Sequence, residues 1–242
     1  MAILYRTVIG RIRGKIGNTV VQRKFNKNVI SLRPEHYITK SEKLKENRKE
    51  FAVKVMFAKA INKSIFLVKS WEHCNVKSIS GYHNAISFNS KNIKHGVPTE
   101  YNSITPPSHA RLDRDKSIYL KSSQSFLGNK ISFEYSFQIP DEVDFTPTYV
   151  FAMVIVLMFS DGKADKITTM TFDKDVDVEE KSSDGLNRLD FEFTDEEVEY
   201  IKMYRLMRGY AAFVKPNEDS KLTGFTNSVF FEVNLNDYFN KK

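Results

Sequence analysis

Between residues 131 and 139 the chain reads Ile131-Ser-Phe-Glu-Tyr-Ser-Phe-Gln-Ile139, an apolar residue at every second position. That is the period of a strand with one face buried and the other in water. Further candidate strands at 118–120, 149–159, 166–172, 186–193, 203–214 and 229–235 make a set of about seven short strands separated by turns. Residues 151–159 are apolar throughout, which predicts a buried strand. The run is far shorter than the ~20 residues a membrane-spanning helix needs. It ends at Ser160-Asp161-Gly162-Lys163, a hairpin-turn sequence. A helical turn is expected at 195–200. The pattern predicts an antiparallel, immunoglobulin-like β-sandwich over residues 117–242.

Upstream the period is helical. Thr39-Lys40-Ser41-Glu42 has the spacing of a capping box, and Leu44, Phe51, Val55, Ala58, Ile65 and Val68 recur on one face of the helix that should follow. Lys45, Arg48, Lys49 and Lys59 fall largely off that face. A second helix is expected over 79–93, with Tyr82, Ile86 and Ile93 inward, stopped by His95-Gly96-Val97-Pro98. Ahead of the helices, 19–25 and 29–33 are rich in β-branched residues around Asn26-Lys27-Asn28, which predicts a β-hairpin ended by Pro34. Residues 98–116, with Pro98, Pro106 and Pro107, read as a linker open to proteolysis. The expected fold is α+β: a basic hairpin-plus-helices domain over 1–97, the linker 98–116, and the sandwich over 117–242.

Charge sharpens the division. The net charge is +7 over 242 residues, but residues 1–100 carry +14 and residues 101–242 carry −7. Such a split suits either a polyanion-binding half or complementary surfaces on neighbouring copies. Cys74 is the only cysteine, so no intrachain disulfide can form.

Candidate chemistry is sparse. Gly10, Gly14 and Gly17 resemble a phosphate loop in glycine content alone, because Ile16 stands where a P-loop has Ser or Thr after its lysine. His73, Cys74 and His83 lack the spacing of a tetrahedral metal set or of a nucleophile with its base. Asp173, Asp175, Asp177, Glu179 and Glu180 form an acidic patch, but Val178 and Asp184 occupy positions where a calcium loop starting at Asp173 has Gly and Glu. The patch reads as a solvated acidic loop or as a surface for a basic neighbour. Arg11, Arg13, Lys15, Arg23, Lys24 and Lys27 form a basic patch able to meet phosphates or carboxylates. No stacking platform or DNA-reading motif accompanies it.

Gly14-Lys-Ile-Gly17-Asn18-Thr-Val, then Val29-Ile-Ser-Leu-Arg33-Pro34, a helix through Phe51-Ala52, and Gly81-Tyr-His-Asn84-Ala85-Ile-Ser87-Phe-Asn89 ahead of Lys91-Asn92 stand in a recognisable order. A strand like 154–159 before Asp161-Gly162, one like 210–214, and Thr226-Asn227-Ser228-Val229 follow. On these residues the chain resembles a Bacteroidota family catalogued as a domain of unknown function. The likeness is specific over 10–95 and generic beyond. Where such proteins tend to carry Pro and Gln before the long helix, this chain has Lys40-Ser41-Glu42-Lys43. The resemblance implies a hairpin-plus-helices N-terminal part and an immunoglobulin-like sandwich, and no particular activity.

The expectation is therefore a non-enzymatic structural protein of a large assembly, most concretely a bacteriophage virion component of the tail or head–tail connector. Its partners would be other copies of itself and neighbouring structural proteins, with no cofactor and no metal. The alternative is a cytoplasmic nucleic-acid-associated protein that uses the basic half for non-specific phosphate contact. The start of the chain lacks the features of a signal peptide. With no spanning segment either, the expected place is the virion, assembled in the bacterial cytoplasm.

Overall fold

The computed structural model describes residues 2–4, 14–16, 19–24, 27–32, 41–72, 74–75, 80–93, 96–111, 118–138, 150–161, 166–177, 187–216 and 222–239. They are α+β, with five α-helices and three antiparallel sheets. Two compact units are formed, residues 1–45 and 46–242. The division thus falls far upstream of the expected linker at 98–116.

In the first unit, β1 (Ala2–Leu4), β2 (Gly14–Ile16), β3 (Thr19–Lys24) and β4 (Lys27–Leu32) make one sheet in the order β1-β4-β3-β2. β3 and β4 pair antiparallel, from Thr19 opposite Leu32 to Lys24 opposite Lys27. Val21 is buried, and Val20, Val29 and Ile30 are half-buried. β1 and β2 are the outer strands.

The helix α1 (Glu42–Lys63) is followed after Ser64 by α2 (Ile65–Glu72) and then α3 (Gly81–Asn89). The residues expected to cap α1, Thr39 and Lys40, lie outside the described residues. Its buried side is Val53, Phe57, Ala58, Ala60 and Ile61; of the expected face Ala58 is buried and Val55 and Val68 are half-buried, but Leu44, Phe51 and Ile65 are exposed. The reason is physical: the half of α1 from Val53 onward packs on the large sheet and the other helices, and its buried residues are confined to that half among the described residues. The helix α3 buries Gly81, Asn84, Ala85 and Asn89, while Tyr82 and Ile86 are only half-buried. A Cβ at Gly81 would overlap the carbonyl oxygen of Val68, so glycine there lets α3 sit against the α2 backbone.

The strands of the second unit are β5 (Tyr119–Leu127), β6 (Lys130–Gln138), β7 (Val150–Ser160), β8 (Ile167–Asp177) and β9 (Asn187–Glu192). After α4 (Asp195–Ile201) come β10 (Leu206–Pro216), β11 (Leu222–Phe225), β12 (Val229–Asn234) and α5 (Leu235–Phe239). The helix α4 fulfils the expected turn and starts with a capping box, Thr194 Oγ1 accepting from Glu197 N–H while Glu197 accepts from Thr194 N–H. β5, β6 and β9 form a three-stranded sheet. β8, β7 and β10 lead to β11 and β12, which share the far edge of β10. β5 turns into β6 through Gly128, whose φ of 67° lies in the left-handed region that glycine tolerates.

The five-stranded sheet is covered on both faces. One face sends Met153, Ile155, Leu157, Phe159, Met207 and Phe213 against Leu120, Ile131, Phe133, Tyr135 and Phe191 of the smaller sheet. The other sends Val154, Val156, Met158, Tyr210, Ala212 and Val214 against Phe57, Ile61, Leu67 and Trp71 of the helices. The unbroken apolar run of β7 follows from this, since both sets of alternate residues are buried. Each fully buried large apolar side chain contributes about 1.5–3 kcal/mol. Gly209 lies opposite Phe231, and a Cβ there would overlap the phenyl ring, which also packs edge-on to Phe133. Among the described residues, no helix is long and apolar enough to cross a membrane.

Candidate functional site

The densest polar chemistry of the second unit lies in residues 96–111, the segment expected to be a linker. Asn102, Ser103, Ile104, Thr105, Ala110 and Arg111 are all buried there. Asn89, at the end of α3, donates from Nδ2 to Ala85 O (3.0 Å) and Ser103 O (2.9 Å). Its Oδ1 accepts from Ser103 N–H (2.8 Å) and from Asn102 Nδ2 (3.1 Å). Asn102 Oδ1 in turn accepts from Thr99 N–H. Two side-chain amides thus satisfy backbone groups that a buried loop would otherwise leave without partners.

The same loop is tied to the five-stranded sheet. Tyr210 Oη donates to Thr99 O (2.9 Å) and Arg208 Nη1 to Pro98 O (2.9 Å). Burial pushes the Tyr210 phenol well above its ordinary range, so it stays a donor. Trp71 Nε1 donates to Ile104 O (2.8 Å), and Asn84 Nδ2 donates to Trp71 O (2.8 Å).

Thr226-Asn227-Ser228, between β11 and β12, completes the arrangement. Thr226 Oγ1 accepts from Phe213 N–H (3.0 Å), a hydroxyl standing in for a ladder carbonyl, while Thr226 N–H donates to Phe213 O (2.9 Å). Thr105 Oγ1 donates to Thr226 O (2.8 Å), and Ser228 Oγ accepts from Ile104 N–H (3.3 Å). Asn227 Oδ1 accepts from Leu120 N–H at 2.6 Å, reaching the smaller sheet. Three consecutive side chains therefore bind the loop, the large sheet and the small sheet together.

Arg111 is the one buried cation of this region among the described residues. Its Nε donates to Pro106 O (2.9 Å) and its Nη1 to Phe225 O (3.0 Å), with the guanidinium 4.3 Å above the Phe225 ring. Burial pulls the group down to about 10, against a small upward pull from Tyr119. Its contacts are carbonyls and an aromatic face, the chemistry of a clamp on backbone.

The catalytic-type side chains are placed structurally. Cys74 is buried with Sγ donating to Trp71 O (2.9 Å). His83 Nδ1 shares a hydrogen bond with Ser80 Oγ (2.9 Å) on the exposed side of α3. His73 lies outside the described residues. His109 packs on Phe88 in an open cleft of about 420 Å3 with Ser87, Lys91, Asn92 and Tyr101. A second, more open cleft of about 620 Å3 is lined by Phe126, Glu232, Val233, Asn234, Asp237 and Tyr238. Neither brings a nucleophile and a base within hydrogen-bond reach among the described residues.

The basic patch divides by register. Lys15 lies opposite Val20 in β2–β3 and Lys24 opposite Lys27 in β3–β4, so these three lysines stand at positions of one sheet face and Arg23 at a position of the other. Arg11 and Arg13 lie outside the described residues. In the acidic patch, Asp173, Asp175 and Asp177 belong to β8, which runs further than the 166–172 strand expected, so this part is strand and not loop. Paired opposite Val154, Ala152 and Val150, they share one face of the sheet. Asp173 and Asp175 are exposed as whole residues, although partial burial of the Asp173 carboxyl raises its pKa. Glu179 and Glu180 lie outside the described residues. Among the described residues no group of three or more His, Cys, Asp or Glu could hold a metal ion.

Among the described residues Asp190 is the carboxylate held furthest below its ordinary range. Lys130 foremost (Nζ–Oδ2 2.6 Å), then Ser132 and Arg188, hold it down to about 2. An unfolded aspartate titrates near ~3.9. The stabilisation is therefore present above that pH and is lost as the pH falls through about 2. Urea midpoints measured between roughly pH 5 and pH 2 should fall more steeply for the unaltered chain than for Asp190→Asn, the two converging at the acid end.

The Asn89–Asn102 pair, Arg111 and the Thr226–Ser228 tripeptide were not legible as functional residues, because each acts on backbone distant in sequence. The one available signal was Asn84, Asn89 and Thr226-Asn227-Ser228 standing inside the motifs of the family resemblance. In comparison with known proteins, the chain matches no family model and no curated protein.

Proposed function

We propose that the chain is a non-enzymatic structural protein that acts by associating with copies of itself and with neighbouring proteins of a large assembly, such as the tail or head–tail connector of a bacteriophage. In this reading β3 and β4 are the hairpin of a Bacteroidota family, and the two facing sheets are an immunoglobulin-like sandwich used as a rigid body. The observation that carries the proposal is the first half of α1. Residues 41–49, 51 and 52 are all exposed, and Leu44 and Phe51 leave 51% and 63% of their surfaces in water. Seven residues apart, they fall along one line of the helix. A neighbour that covered both would gain about 1.5–3 kcal/mol from each. The interior polar groups support the same reading, since Asn84, Asn89, Thr105, Arg111 and Thr226 are used to bind backbone.

Sedimentation velocity of the full chain tests this. Concentration-dependent association is expected, weakened at least ~10-fold by Leu44→Glu with Phe51→Glu. A chain that stays monomeric and binds any duplex tightly, with about one unit of log–log salt slope per phosphate contacted, would overturn the proposal. It would establish instead the nucleic-acid role of the basic half.

A further inference from the structure

The interior accounts for only part of the segment at the end of α3. Asn84, Ala85 and Asn89 are buried, and Asn89 binds the loop at residues 102 and 103. Ser87, Phe88, Lys91 and Asn92, together with Tyr101 and His109, line the open cleft of about 420 Å3. The walls of this cleft are held in place. Asn92 Nδ2 donates to Tyr101 O (2.7 Å), and Thr99 Oγ1 donates to Asn92 O (2.9 Å). The Phe88 ring packs on buried Trp71 at 5.5 Å and carries His109 at 6.0 Å. The remaining polar atoms are unused by the fold. Among the described residues, the Lys91 ammonium, the His109 ring nitrogens, the Ser87 and Tyr101 hydroxyls and Asn92 Oδ1 have no hydrogen-bond or ion-pair partner. Tyr101 also leaves 65% of its surface in water.

The chemistry of that lining selects a ligand. Lys91 is a cation, and the imidazole and both hydroxyls can each donate a hydrogen bond, against the single amide acceptor of Asn92. No carboxylate lines the cleft, and the charge of Glu100, beside Tyr101 in the chain, acts on the Tyr210 phenol. A donor-rich, cationic lining favours an anion through charge-assisted hydrogen bonds. The cleft is far larger than a bare inorganic ion, at many times the ~30 Å3 of one water. It falls within the ~300–1,000 Å3 of small-molecule sites. The rings of Phe88 and Tyr101 add apolar surface on which another ring can pack. We infer that the cleft binds a small anionic molecule with a planar ring, its carboxylate or phosphate held by Lys91 and His109 and its ring by Phe88 and Tyr101. The site is independent of the assembly reading, since all six residues belong to the second unit.

Heteronuclear NMR of the full chain tests the site with four probes at millimolar concentration: benzoate, phenyl phosphate, inorganic phosphate and benzyl alcohol. Saturable shifts at residues 87–92, 101 and 109 are expected with at least one of the two ring-bearing anions. That anion should bind at least ~10-fold more tightly than inorganic phosphate or benzyl alcohol, which each lack half of the recognised chemistry. The tighter of benzoate and phenyl phosphate identifies the anionic group. Lys91→Glu should weaken binding at least ~10-fold. Lys121→Glu, at an exposed position of β5, makes the same change in net charge and should leave binding unaltered. His109→Ala, on the opposite side of the lining sequence, gives a second variant that should weaken binding in the same direction, and the spectrum of each variant without probe establishes that it folds. Absence of saturable shifts with both ring-bearing anions would overturn the site. Equal binding of inorganic phosphate would overturn the role of the ring, and equal binding of benzyl alcohol that of the anion. Equal weakening by the two lysine variants would show a general field effect and overturn the assignment to this cleft.

Discussion

Trp71→Ala should be the most damaging single truncation in the helical layer. The side chain is wholly buried among Phe57, Ile61, Leu67 and Ile104, and its ring packs 5.5 Å from Phe88. Truncating a buried Trp costs about 3–5 kcal/mol through lost burial and the cavity left behind. The carbonyl of Ile104, now without the indole N–H, adds about 1–3 kcal/mol. For a unit of this size each kcal/mol lowers the melting temperature by about 2–4 °C, so the fall should be at least ~6 °C. Trp71→Phe separates the two causes. It restores most of the volume and leaves only the unpaired carbonyl, so calorimetry should recover more than half of the loss. An equal fall in both variants would show that the hydrogen bond, and not the packing, dominates.

Asn89→Asp should follow closely, with a signature in pH. The amide donates twice and accepts twice, and the residue is 2% exposed. A carboxylate of the same shape keeps the two acceptor contacts but sets negative charge against the carbonyls of Ala85 and Ser103. Each orphaned buried group costs about 1–3 kcal/mol, more where a charge is buried. Such a carboxyl has its pKa raised on folding, so the folded state holds the proton more tightly than the unfolded one. The stability of the variant should therefore be greatest in acid and fall as the pH rises through that raised pKa, by the linkage of proton binding to folding. Asn89→Ala lacks the titrating group and should be destabilised by a similar amount at every pH. Parallel pH profiles for the two variants would contradict this account of Asn89.

Strand content was legible in the sequence wherever a face or a whole strand is buried. The alternation at 131–139 became β6, and the unbroken run at 151–159 lies within β7, the strand covered by sheet on one side and helices on the other. Periodicity carries this because it records burial residue by residue. It failed on α1, where Leu44 and Phe51 have the spacing of a buried face and are exposed: spacing says which residues share a side, and only the position of the neighbouring layer says whether that side is covered.

The interior role of residues 98–111 was not legible for a related reason. Residues 98–116 have loop composition, and residues 98–111 do lack regular structure apart from the turn at Ser108–Ala110, yet the segment is part of the interior. Composition reports that a segment cannot satisfy its own backbone by helix or ladder. Whether water or side chains satisfy it is decided by what folds against it, here Asn89, Tyr210, Arg208, Thr226 and Ser228, as many as 124 positions away in the chain. The alternating charges of Arg11–Lys15 and Asp173–Asp177 were likewise plain in the sequence. That β2 and β8 are the outer strands of two different sheets came only from the order of the strands, which long-range pairing sets and local pattern does not encode.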